Sequence, residues 1–332
     1  MRKMRQLQPQ LLALAVVLVL VGLISPGFFS ITVQNGRLYG SIIDVGVRVA
    51  PVALLAIGMT LVIATRGIDL SVGAVMAITG AVAATLVADG QPVLVVLVVS
   101  LALGLLCGIW NGMLVAFLDI QPIIATLILM VAGRGIAQLI TGGVILTFNN
   151  PAFSFIGSGA VMGVPMPILI WLALGLVVGL LVRRTALGLL IEAVGINRRA
   201  SMLVGVRARF LILATYGISG LCAAMAGMIV TADIHGADAN NAGLWLELDA
   251  ILAVVIGGTS LAGGRFSITA SLIGALIIQA LNTGILMSGW PPEFNLIVKA
   301  VVIVTILTLQ SPAVADELAT LRDLLRRKGV SK

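Results

Sequence analysis

The sequence predicts an all-α, polytopic membrane protein with about ten transmembrane helices and both termini in the cytoplasm. Three observations predict it. Sixty per cent of the 332 residues are apolar and 10% are charged, where a soluble domain carries roughly 25% charged residues. The apolar residues gather in runs of about 20, the length that crosses a hydrocarbon core roughly 30 Å thick. The basic residues fall on one side of those runs and leave the other side nearly bare.

In chain order the runs lie at 11–29, 45–65, 70–88, 93–117 and 122–141, then at 167–183, 211–232, 244–262, 268–288 and 294–310. The first follows Met1-Arg-Lys-Met-Arg5, which resembles the basic start of a signal peptide. Ile24-Ser-Pro-Gly-Phe28 stands where a small-residue cleavage site would be, so the run is expected to remain as a first helix. The eighth run is the weakest, because Glu247 and Asp249 open it and Gly257-Gly258 interrupts it. The chain thus divides into a cytoplasmic N-terminus over 1–10, a membrane domain over 11–310 and a cytoplasmic tail over 311–332.

Orientation follows from Lys and Arg. With the N-terminus inside, sixteen of the twenty fall in inside segments: three before residue 6, Arg66, Arg265, six between 183 and 209, and five in the tail. The outer loop 142–165 has no charge, and the outer loop 233–247 carries Asp233, Asp238 and Glu247. Losing one run would put the basic tail outside, so the number of crossings is expected to be even.

Several function classes are excluded. Cys107 and Cys222 sit inside apolar runs and make no disulfide framework, and His235 alone cannot build a metal cluster. The net charge of +7 marks topology and not a nucleic-acid surface. A phosphate-binding loop needs Gly-Lys followed by Ser or Thr, and none of the four lysines follows a glycine. No catalytic cluster appears at usable spacing, so any ATP hydrolysis belongs to another chain.

Most inner connections are tight, but 183–210 is a long basic segment. Helix formers run from Ala186 to Val194, and Gly195-Ile-Asn197 supplies a stop like a helix C-cap. By itself this reads either as a basic loop that fixes topology or as a surface helix that meets a partner. The tail offers a comparable pattern, with Leu318, Leu321 and Leu325 on one helical face, suited to the inner membrane surface or a partner.

Glu192-Ala-Val-Gly-Ile-Asn197, with Ala200 and Gly205, resembles the coupling-loop motif of sugar-importing ABC permeases of the ribose, galactose and arabinose branch. Three further stretches are similar to the same family: Thr65-Arg-Gly-Ile-Asp-Leu-Ser-Val-Gly73, Pro122-Ile-Ile-Ala-Thr126 with Arg134-Gly135, and Ala253 through Gly-Gly-Arg265. Residues 232–249 resemble the galactofuranose permease subunits most. One departure is Arg66, where the family usually has a glycine.

The resemblance implies the channel subunit of an ATP-driven importer in a bacterial inner membrane. Its implied partners are two ATP-binding subunits that carry ATP and Mg, a periplasmic sugar-binding protein, and a second permease subunit, a different chain by preference. This chain itself is expected to hold no cofactor and to bind no nucleic acid. Glu192, Ala193, Gly195, Asn197 and Ala200 would then couple to the ATPase, the small residues allowing close packing. Glu192→Lys or a bulky residue at Gly195 would abolish uptake without preventing insertion.

A sugar path needs hydrogen-bonding groups, and Asn111, Thr126, Arg134, Gln138, Gln279 and Asn282 are the candidates inside the runs. Interhelical bonding is the alternative for each, since a polar group inside a bilayer must be satisfied locally. Arg134 suits the pore or a buried ion pair, and Lys299 either snorkels outward or serves function. Asp69 or Ser71 is expected to cap the third helix, with gating as the alternative. Gly257–Arg265 reads as a tight turn or a broken helix. Gly217, Gly220 and Gly227 are read as close-packing positions. His235 is either solvated or in contact with the binding protein. Trp290-Pro-Pro-Glu293 is expected to be a stiff outer turn. The rival reading from another class is an ion-coupled secondary transporter, which would take up sugar without any ATPase.

Overall fold

The computed structural model describes residues 2–25, 27–34, 36–289, 291 and 294–310. The expected tail helix and the Trp290–Glu293 turn, except Pro291, lie outside the described residues. In chain order the elements are α1 (Arg2–Ile24), a hairpin of β1 (Thr32–Gln34) and β2 (Arg37–Tyr39), α2 (Ser41–Arg48), α3 (Ala50–Ala64), α4 (Val72–Ala88), α5 (Val93–Ala116) and α6 (Pro122–Thr141). Then come β3 (Leu146–Thr147), α7 (Pro151–Ser158), a hairpin of β4 (Ala160–Val161) and β5 (Val164–Pro165), and α8 (Met166–Arg184). The rest is α9 (Leu187–Ile196), α10 (Arg198–Leu203), α11 (Ala208–Asp233), β6 (Gly236–Ala237), α12 (Leu246–Ile256), α13 (Ile268–Met287) and α14 (Phe294–Gln310). The chain is mostly helical. The strands form three two-stranded antiparallel ladders, including β3 with β6, where Leu146 faces Ala237.

Every expected run contains a helix, but not every helix is long enough to cross. Six described helices are long and apolar enough, and α2 with α3 makes a seventh if their 41° bend lies within one span. Pro51 sits in the first turn of α3, where its missing N–H costs nothing, and Val49 carries the bend. All of α3 except Pro51 is buried. A helix apolar on every side belongs in the centre of the bundle, and α3 lies there among α8, α11, α12 and α13.

The run expected over 244–262 is corrected by the structure. Its helix covers only Leu246–Ile256, about 17 Å at 1.5 Å per residue. Trp245, with φ 65°, breaks the chain before it, and Gly257-Gly258, with φ 83° at Gly258, ends it. Residues 234–245 run irregularly against α4 and α6 instead. The 17-residue α4 matches its expected run to within two residues, and residues 65–71 before it are not helical.

Close approach explains the glycines of α11. Gly220 packs on the backbone of Gly104 and Gly108 in α5, and a Cβ on Gly108 would overlap Tyr216 O. Gly227 does the same against Met76 O and Thr79 in α4, while Gly217 faces the side chain of Leu105. These backbone seams bring α4, α5 and α11 together around the irregular segment 65–71.

Candidate functional site

Residues 65–71 climb along α11 from the end that carries α9 and α10. Tyr216 Oη donates to Ile68 O at 3.5 Å, and Ser219 Oγ donates to Asp69 Oδ2 at 2.8 Å. Ser219 lies near the middle of the 26-residue α11, so Asp69 sits midway along the bundle. It is 2% exposed. Ser71 N and Oγ donate to Asp69 Oδ1 at 3.1 and 2.6 Å, and Asn111 Nδ2 donates to Ser71 Oγ at 2.7 Å. Thr126 Oγ1 accepts from Leu70 N at 3.2 Å.

Asp69, Ser71, Asn111 and Thr126 are therefore one cluster. The expected cap takes a different form: Ser71 occupies the N-cap position of α4 but makes no side-chain bond to the helix. Asp69 holds the turn before it instead. Ser219 and Tyr216 complete the cluster and carried no signal in the sequence, being small or aromatic residues of one apolar helix, far along the chain from residues 68 and 69.

A second polar group stands on the other side of α4. Arg134 Nη1 donates to Ala239 O at 3.0 Å and Ala242 O at 2.6 Å. Gln138 Nε2 donates to Asn240 Oδ1 at 2.8 Å. These bonds hold 236–245 against α6, so Arg134 braces a loop and makes no ion pair among the described residues. Within that loop Asn241 Nδ2 donates to Asp238 Oδ2 at 2.7 Å. At its far end the loop meets α4: Gly243, with φ 71°, lies against Gly73 O, and Glu247 Oε2 lies over Gly73. Glu247 is 3% exposed. Its carboxylate stands at the first turns of both α4 and α12, where helix dipoles favour negative charge.

The remaining candidates disperse. Gln279 is buried and donates to Thr283 Oγ1 at 3.4 Å. It lines a cavity of about 260 Å3 with Arg48 and Asp233, at the end opposite α9. Asn282, one turn on, is half-buried and shares neither cluster. Lys299 does not snorkel: its Nζ lies 3.0 and 2.9 Å from the Asp249 oxygens, tying α14 to α12. His235 is exposed.

The elbow of α9 and α10 revises one expectation. The helix does stop within Gly195-Ile-Asn197: Gly195 is still in α9, and Asn197 ends it by adopting extended backbone (φ −154°). Asn197 Oδ1 then caps α10 by accepting from Ala200 N at 3.0 Å. Gly195 does not, however, offer a small surface to a partner, since it is buried and a Cβ there would overlap Ala64 O at the end of α3. Gly264 N also bonds Ala64 O, at 2.9 Å. The elbow, the end of α3 and the α12–α13 loop thus meet at one backbone knot.

Glu192 and Ala193 are half-buried, and Asn197 and Ala200 are exposed. The elbow's outward surface is aliphatic: Leu189, Ile196, Leu203 and Val204 are 72, 61, 88 and 80% exposed. Small residues drew attention in the sequence, but these branched ones form the face that a partner would cover.

The family model for the permease component of the branched-chain amino acid transport system matches residues 41–307. The chain belongs to that family. The permease is 61% identical to the galactofuranose transporter permease protein of Escherichia coli K12, over 91% of its own length and 89% of the relative's. It is 42% identical to a fructose import permease protein of Bifidobacterium longum NCC 2705, over 87% and 82% of the two chains. The ribose import permease protein of Escherichia coli K12 matches at 41%, over 89% and 91%. No solved structure matches the permease.

Proposed function

We propose that this chain is a membrane-spanning subunit of an ATP-driven, binding-protein-dependent sugar importer, acting on galactofuranose or a related monosaccharide. One observation carries the reading: 61% identity to a galactofuranose transporter permease across 91% of the chain. The family description names amino acids, but the three relatives above carry sugar names.

In this reading the chain crosses a bacterial inner membrane ten times with both termini in the cytoplasm. Two crossings are partly non-helical: 65–71 completes α4, and 234–245 completes α12. Irregular backbone at membrane depth is tolerated where protein buries it. The aliphatic elbow docks on a cytoplasmic ATP-binding subunit, which supplies ATP and Mg, and Glu192, Ala193, Asn197 and Ala200 lie in or beside that interface. A periplasmic binding protein delivers sugar to the opposite face, and a second, different permease chain completes the pore. Closure of the ATPase moves the elbow. The knot at Gly195 passes that movement to α3 and the α12–α13 loop, and so to the two polar groups flanking α4.

The test is ATP hydrolysis by the reconstituted four-component complex. Binding protein loaded with galactose, whose solutions contain the furanose form, is expected to stimulate hydrolysis more than binding protein offered ribose or fructose. Stimulation by ribose alone would reassign the sugar.

A further inference from the structure

Arg66 is a non-glycine residue with φ 66°, in the left-handed region that side chains disfavour. Its backbone follows the last turn of α3, and three residues later the chain reaches the buried Asp69. Its side chain turns the other way. Nη2 donates to Ile196 O at 2.9 Å, and Nε donates to Ala262 O at 2.7 Å. Ile196 is the last residue of α9, so its carbonyl has no partner within the helix. The guanidinium therefore meets an unpaired acceptor at the negative end of a helix dipole. Ala262 lies in the non-helical connection between α12 and α13. Gly263 (φ 80°) lets that connection pass so close that a Cβ on it would overlap Arg66 Cγ. One planar fork thus spans two carbonyls from segments separated by more than 60 residues. A lysine, which presents a point charge, has no equivalent geometry.

The same three segments already meet through Ala64 O, which lies against Gly195 and accepts from Gly264 N. The first contact is close backbone packing and the second a single backbone hydrogen bond, and neither bonds α9 to the α12–α13 connection. Arg66 adds charge-assisted bonds on a side chain long enough to follow a moving partner.

We propose that Arg66 is a positioning residue of the coupling step: its guanidinium locks the end of α9 and the α12–α13 connection to segment 65–71, so that movement of the elbow is delivered to Asp69 and the start of α4. The proposal rests on the importer reading above. It places transmission in a side chain and not in the fold alone.

The experiment measures labelled galactose taken up per ATP hydrolysed, in proteoliposomes holding the complete complex, for the unchanged chain, Arg66→Gly and Arg66→Lys. Glycine relaxes the positive φ and removes the fork; lysine keeps the charge and removes the fork. Membrane abundance and melting temperature are followed in parallel. The expected result is about a tenfold fall in sugar delivered per ATP for Arg66→Gly, within the usual range of coupling between sites, with Arg66→Lys closer to glycine than to arginine. If Arg66→Gly is lost from the membrane, the ratio in Arg66→Lys decides. Variants in which uptake and hydrolysis fall together, leaving the ratio unchanged, would show Arg66 to be structural only and overturn the proposal. Absence of ATP-dependent uptake in the unchanged chain would instead overturn the importer reading, and this inference with it.

Discussion

Gly195 shows how one residue's role is set by its surroundings. In the sequence it opens the stretch that stops a helix, and in the structure it lies in the last turn of α9 against the carbonyl of Ala64. A side chain there must push α9 away from α3, because the atom it meets is backbone and cannot rotate aside. Gly195→Val is expected to insert normally, since no span is touched, but to lose at least about 90% of uptake, the loss expected from about 1.4 kcal/mol of coupling. Membrane abundance beside uptake checks this, and a well-expressed variant that transports normally would contradict it. Lys299 and Asp249 form the other informative pair, each side chain 12% exposed. Removing one partner of a buried pair leaves an uncompensated charge, a loss of about 3 kcal/mol or more. Lys299→Met should therefore lower the melting temperature in detergent, and adding Asp249→Asn should restore part of it.

At the scale of elements, the sequence located helices well and measured some of them badly. Hydropathy registers that residues are apolar, not whether their backbone is helical. Most of the run at 244–262 is apolar, yet Trp245 in the left-handed region and Gly257-Gly258 leave only 11 helical residues. Residues 65–71 fell largely between the runs at 45–65 and 70–88, and only their depth along α11 was hidden. The elbow was legible because its basic, glycine-punctuated sequence differs from the spans on either side. Its exposed aliphatic face was not, because burial is decided by packing partners far away in the chain. The polar residues could be named individually, but their grouping could not: Asn111 and Thr126 join Asp69, whereas Arg134 and Gln138 brace 236–245. That brace makes a prediction about the element itself. Arg134→Ala strips a charged donor from Ala239 O and Ala242 O, worth about 1.5 kcal/mol or more. Amide exchange in 236–245 should accelerate about tenfold while α6 keeps its protection; unchanged exchange would show that the loop is held by other contacts.

For the whole molecule, two shortened helices, α4 with 17 residues and α12 with 11, give the account its shape. α4 and α12 start close together, where Gly73 meets Gly243 and Glu247 stands over both first turns. Each is completed by irregular chain, one piece fastened to α11 and the other to α6. Such broken segments frequently line transport sites, and here the elbow reaches one of them through a continuous path: α9, Ala64, segment 65–71, Asp69. In the proposed reading the structure therefore has a lever at one end and a polar layer midway. The most direct test is uptake of labelled galactose into proteoliposomes holding this permease, its ATP-binding subunits and a second permease chain. Uptake is predicted only with ATP enclosed and binding protein outside, and it should survive collapse of the proton gradient. Uptake that proceeds without ATP and ceases when that gradient is collapsed would contradict the account.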